Sequence, residues 1–202
     1  MLKRTKGRLL ITLLVVTGLA GTLNTGTISQ KERKQAVTIL KNSKSEITAA
    51  LEGLTEKQVN FKISPHDLSI AEIINNVAAI EINFASELAA AMKQPADSEK
   101  RLILSFEDAE VLGNKNPALN SALTPKMKAN KSKADDALNR FTAIRTDHIK
   151  YVRTSTEDLR NHVVQTEAGW VDYYQKFLLL GIQTTLAAKH IKRIKTHKSF
   201  PK

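Results

Sequence analysis

The chain has no cysteine. That removes disulfides, thiol nucleophiles and cysteine-ligated metal centres together, and leaves stability to the packing of a core. Glycine and proline are scarce, 8 and 5 among 202 residues, while Ala, Leu, Ile, Lys and Glu dominate, a balance that favours helix over strand. There is no Gly-rich phosphate loop, no nucleophile elbow and no His-Glu-x-x-His zinc motif, so the usual enzyme signatures are missing. No internal repeat or low-complexity tract interrupts the chain. What is present, 42% hydrophobic content over 202 residues, suits a single all-α domain with a genuine core.

The first twenty residues stand apart. Lys3, Arg4, Lys6 and Arg8 precede an apolar run from Leu9 to Ala20, and small polar residues follow, which is the layout of a secretory signal peptide. The run is about a dozen residues, short of the ~20 that a bilayer-spanning helix needs. Gly18-Leu19-Ala20 puts small residues where a signal peptidase reads, so residues 1–20 are expected to be cleaved and the protein to be periplasmic or otherwise extracytoplasmic. The alternative is a retained N-terminal anchor that recruits Gly21, Thr22 and Leu23 into a tilted segment. No cysteine follows the run, which excludes a lipoprotein anchor. Taking the four leader cations from the formal charge of +11 leaves about +7, still basic, which points to an anionic partner such as a membrane surface or nucleic acid. Export argues against nucleic acid. The lysines are scattered over several elements instead of one block, so a solvated basic surface is expected.

Four stretches carry helical periodicity. Between Ile28 and Leu54, Val37, Leu40, Ile47, Leu51 and Leu54 mark one face of helix one. Residues 55–68 contain Pro65, and Phe61 and Ile63 alternate with polar residues, which predicts an extended connector. Ser69 with Glu72 has capping-box spacing, and Ile70, Ile73, Val77, Ile80, Phe84 and Leu88 form the buried stripe of helix two, which ends before Pro95. Residues 95–131 hold Pro95, Gly113, Pro117 and Pro125 and read as a long structured connection. Helix three covers about Ser132 to Val152, with Ala134, Leu138, Phe141, Ile144, His148 and Val152 on one side. After a turn at Glu157 to His162 and a connector through Gly169, helix four covers Val171 to Lys195 and ends in basic turns, as the helix dipole favours. Four long helices make a bundle.

The order and content of these segments resemble the DinB-like superfamily. The likeness covers about Ile28 to Lys202. It rests on Leu54-Thr55-Glu56-Lys57-Gln58 with Phe61 and Pro65, on Ser69-Ile70-Ala71-Glu72-Ile73-Ile74-Asn75-Asn76-Val77-Ala78-Ala79-Ile80-Glu81, and on Ala187-Ala188-Lys189-His190-Ile191-Lys192-Arg193-Ile194. The resemblance implies a four-helix bundle of DinB-like type over 28–202, with a long connection between helices two and three. It also implies a divalent metal held by a His on helix two and a His-x-x-x-His pair on helix four. Those positions fall on Asn76, Leu186 and His190 here, so one ligand of three survives. Leucine cannot donate to a metal and a neutral amide is a poor substitute for imidazole, so tight Zn or Ni binding at the inherited positions is not expected.

Asn76, if it faces inward, needs a hydrogen-bond partner, and His190 is the natural one across the bundle. His148 lies on the apolar face of helix three, where it is either a core histidine or, with Glu81 or Asp147, a relocated ligand near His190. His66 and His162 in connectors and His197 in the tail are expected at the surface. Trp170, Tyr173 and Tyr174 cluster at the start of helix four, where they pack core and rim or line a ligand or partner cleft. The expectation is a non-catalytic exported domain that takes a small molecule or an envelope protein, without nucleic acid and without a resident cofactor. Membrane contact would run through the N-terminal segment, and a dimer is compatible. The alternative is a metal-dependent transferase or hydrolase with displaced ligands, holding Zn or Ni.

Overall fold

The computed structural model describes residues 27–113 and 133–202; the expected leader and about half of the long connection, from residue 114 on, lie outside them. Helix α1 spans Gln30–Leu51 and starts at a capping box between Ser29 and Glu32. Leu40, Ile47 and Leu51 are buried as their spacing predicts. A four-residue helix, α2, Glu56–Val59, stands where Pro65 and the alternating Phe61 and Ile63 suggest an extended connector. Its own capping box, Thr55 with Gln58, satisfies the N–H groups that leave so short a helix marginal.

Helix α3, Ile70–Ala91, begins at the Ser69–Glu72 box that the sequence predicts and buries Ile70, Ile73, Val77, Phe84 and Leu88. The connection after it holds a 3-10 turn, Lys100–Ile103, and a short helix α4, Asp108–Gly113. Helix α5 spans Ala134–Thr154 and α6 spans Tyr173–Lys195. The last helix starts two residues later than its apolar pattern suggests, because Trp170 and Val171 belong to a hairpin. Its strands β1, Val163–Thr166, and β2, Gly169–Asp172, are antiparallel, with Val164 opposite Val171. Asp172 then ends the strand and caps the helix, its carboxylate accepting from the Gln175 N–H at 2.7 Å.

The hairpin is seated on the connection by Ser105. Its N–H donates to Trp170 O at 2.9 Å and its hydroxyl accepts from the Trp170 N–H at 2.8 Å. Gly169 has φ +138, and a Cβ there would lie 2.4 Å from Ser105 Oγ, so only glycine permits this approach.

The four long helices form a square in which α1 packs on α6 and α3 on α5, with α1–α5 and α3–α6 closing the other sides. The core falls into two apolar clusters, one around Leu40, Phe84, Val152, Tyr174 and Phe177, the other around Ile47, Ile74, Phe141 and Ile191. Among the described residues no helix is long and apolar enough to cross a membrane.

Candidate functional site

A polar layer separates the two apolar clusters, and each long helix gives it a side chain: Ser43 from α1, Glu81 from α3, Arg145 from α5 and Thr184 from α6. All four are buried, Glu81 and Arg145 at 0% exposure. The Arg145 guanidinium donates to both Glu81 Oε1, through Nε at 2.9 Å and through Nη2, and to Ser43 Oγ and Thr184 Oγ1 at 2.7 Å each. It also reaches the carbonyls of Leu40 and Leu180 at 3.3 and 3.2 Å. The other Glu81 oxygen lies 2.7 Å from His148 Nδ1. Buried charge is tolerated in this way, when it is paired and its remaining donors are satisfied. His148 is 4% exposed and its Nε2 has no hydrogen-bond partner among the described residues; its ring packs edge-on against Phe84 at 5.0 Å and Phe177 at 6.0 Å.

A second arginine organises the end of the bundle where α1 and α6 begin. Arg160 is paired with Glu32, Asp108 and Asp172 and lies over the Tyr174 ring, 4.0 Å from its centroid. Burial alone would lower its pKa, but hydrogen bonds and charge from Asp108, Asp172 and Glu32 raise it. The carboxylates respond differently. Burial pushes Asp172 up in spite of Arg160, whereas in Glu32 the burial effect is overcome by bonds from Ser29 and Arg160, and its pKa falls. Gln175 ties the cluster to the connection by donating to Phe106 O at 2.8 Å.

The positions that the resemblance assigns to metal ligands are not assembled into a site. Asn76, Leu186 and His190 are each half-buried. His190 Nε2 lies 3.1 Å from Arg193 Nη2, so its partner is on its own helix instead of being Asn76. Burial and the Arg193 charge lower its pKa, against the opposing charge of Asp67. Of the relocated candidates, Glu81 and His148 do meet, but Arg145 already holds Glu81 in the place a metal cation would take. Asp147 is exposed, because one residue along a helix turns the side chain by about 100° from His148. Among the described residues no group of three or more His, Cys, Asp or Glu side chains is placed to hold a metal ion. The residues present do not fit the implied metal.

The aromatic trio divides. Trp170 is half-buried on β2, and Tyr174 is fully buried, its hydroxyl donating to Gln35 Oε1 at 2.9 Å. Tyr173 donates to Glu87 O at 3.3 Å; burial, with the Glu87 charge, pushes its pKa up to about 12. Tyr173 also edges a groove of about 430 Å³ with Glu87, Gln94, Asp97, Lys100 and His162. His162 is not a free surface group: Nδ1 lies 2.6 Å from Asp158 O and Nε2 3.0 Å from Gln94 O. His66 is exposed, and His197 is half-buried with its ring 6.2 Å from Phe61.

Sequence reasoning missed Arg145 and Arg160. Arg145 had a readable signal, since Phe141, Arg145, His148 and Val152 follow helical spacing just as Val77, Glu81, Phe84 and Leu88 do. Opposite charges set in two apolar stripes point to a buried pair. Arg160 sits in an irregular turn with no period to read.

No protein-family model matches the chain, and no curated protein matches it significantly. Among solved structures it is similar to YfiT from Bacillus subtilis, described as a probable metal-dependent hydrolase with an unusual four-helix bundle topology. The TM-score is 0.59 over 83% of this chain and 88% of that one, at 9% identity. What the two chains share is therefore the fold, and this chain has the four-helix bundle of that structure.

Proposed function

We propose that the chain is a non-catalytic binding module that works outside the cytoplasm and takes a small ligand or another envelope protein. One observation carries the reading: Glu81 and His148, the pair best placed to rebuild a reactive centre, are engaged at the bundle centre with Arg145. A guanidinium that also binds Ser43, Thr184 and two carbonyls is a structural cross-brace. Leu186 adds no donor at a position where the resemblance implies one. The proposed location rests on the basic, apolar and small-residue order of residues 1–20.

The second reading is a metal-dependent hydrolase or transferase with displaced ligands, and the unpartnered His148 Nε2 favours it. Elemental analysis of residues 21–202, purified without chelators or a histidine tag, separates the two. The binding-module reading expects no stoichiometric metal even after incubation with excess Zn, Ni or Mn. Stoichiometric metal with a metal-dependent rate, both lost in His148→Ala, would overturn it.

A further inference from the structure

Charge along the α1–α5 side of the square is not balanced. A groove of about 770 Å³ runs between these helices, with Lys41, Lys44 and Glu52 on one wall and Ile149, Lys150 and Arg153 on the other. Its size lies within the roughly 300–1,000 Å³ of small-molecule sites. Four cations face one carboxylate, and none of the four enters an ion pair among the described residues. Lys44 is positioned, its ammonium donating to Thr146 Oγ1 at 2.7 Å. Nor can the remaining chain supply the counter-charge, because residues 1–26 and 114–132 contain Lys and Arg but no Asp or Glu.

We infer that this groove binds a single-chain amphiphile with a phosphate or carboxylate head. This rests on the binding-module reading and names its ligand class. Lys and Arg on opposite walls, with the hydroxyls of Ser45, Thr48 and Thr146 beside them, suit an oxyanion head through charge-assisted hydrogen bonds. Ile149, Ala49 and the methylene stems of the lysines give an apolar floor for the tail. No aromatic side chain lines the groove, so there is no platform on which nucleic-acid bases would stack. The large apolar side chains exposed among the described residues, Leu68, Ile82, Leu102 and Ile103, all lie off α1 and α5, which leaves a protein partner no anchor. A concave cleft also suits one monomer better than a bilayer face.

Calorimetric titration of the full chain, as the cell matures it, with dodecyl phosphate below its micellar concentration tests the inference. Saturable one-to-one binding is expected, weakened by about tenfold or more in the double variant Lys41→Glu, Lys150→Glu, as loss of charge-assisted bonds implies. Both positions are exposed, and circular dichroism checks that the variant is folded. Dodecyl maltoside and inorganic phosphate should each bind far more weakly. The inference is overturned if dodecyl phosphate does not bind, if either control binds as tightly, if the charge reversal changes nothing, or if only phosphatidylglycerol vesicles bind. The metal analysis is independent of all these outcomes, so the ligand class and the binding-module reading fail separately.

Discussion

The two arginines show opposite solutions to one problem. Arg145 is dry, has a single carboxylate and satisfies its other donors with hydroxyls and carbonyls. Arg160 has three carboxylates, and two of them remain partly wet, Glu32 at 25% and Asp108 at 34% side-chain exposure. Inside the bundle an excess negative charge would have no water to solvate it, so neutral acceptors complete the shell. At the rim, solvent tolerates the surplus. The interior pair should therefore be severe when broken and insensitive to salt, whereas the rim cluster should be milder and graded.

Breaking the interior pair with Arg145→Ala strands Glu81, and a loss of about 3–5 kcal/mol is expected in urea unfolding. Replacing the whole group, Glu81→Leu with Arg145→Met and His148→Phe, should restore much of that loss, since buried ion pairs gain little over well-packed apolar residues. If the triple variant is as unstable as Arg145→Ala, the contrast between the two sites is wrong. Asp172→Ala removes both a helix cap and one Arg160 partner, and about 2 kcal/mol is expected. Asp172→Asn keeps the capping oxygen and should cost less.

Glu32→Gln should have the smallest effect, about 1 kcal/mol or less, shrinking as salt is added. Its pH signature is more informative than its size. Folding lowers the Glu32 pKa from 4.5, so the folded chain binds this proton less readily than the unfolded chain. The stability it gives is complete above pH 4.5 and is lost as pH falls through the lowered value. Folding raises Asp172 from 3.8, so its contribution has the opposite sign and grows as pH falls through the raised value. Glu32→Gln should flatten the acid limb of stability against pH, and Asp172→Asn should steepen it. Parallel shifts in both variants would show that the rim carboxylates do not titrate as separate groups.

These contrasts also mark what the sequence disclosed. The helices were legible because burial imposes a period: Ile70, Ile73, Val77, Phe84 and Leu88 are buried as spaced, and the Ser69–Glu72 box starts α3 as predicted. The hairpin was not legible, since strands of four residues are too short to show alternation and Trp170-Val171 continue the apolar pattern of α6. The arginines were hidden by their chemistry. Arg145 belongs by position to a buried stripe, but arginine is assigned to the surface by default. The Arg160 cluster joins Glu32, Asp108, Asp172 and Arg160 across more than a hundred residues, and only the fold brings them together. The candidate site was half visible: Glu81 and His148 could be named as neighbours, whereas Arg145, which holds Glu81, is legible only when its place in the stripe is weighed above its charge. The α1–α5 groove escaped notice because its cations are dispersed in sequence and meet only when the two helices pack.

The polar layer draws one side chain from every long helix, and this bears on how the chain folds. A helical hairpin, or any three of the four helices, leaves Arg145 or Glu81 facing water or facing apolar surface without its full set of partners. Partial assemblies therefore gain apolar burial without the compensation that the complete layer supplies, and they lie well above the native state in free energy. Assembly of the bundle is in this way made nearly all-or-none, and helices separated by the long connection are bound into a single cooperative unit.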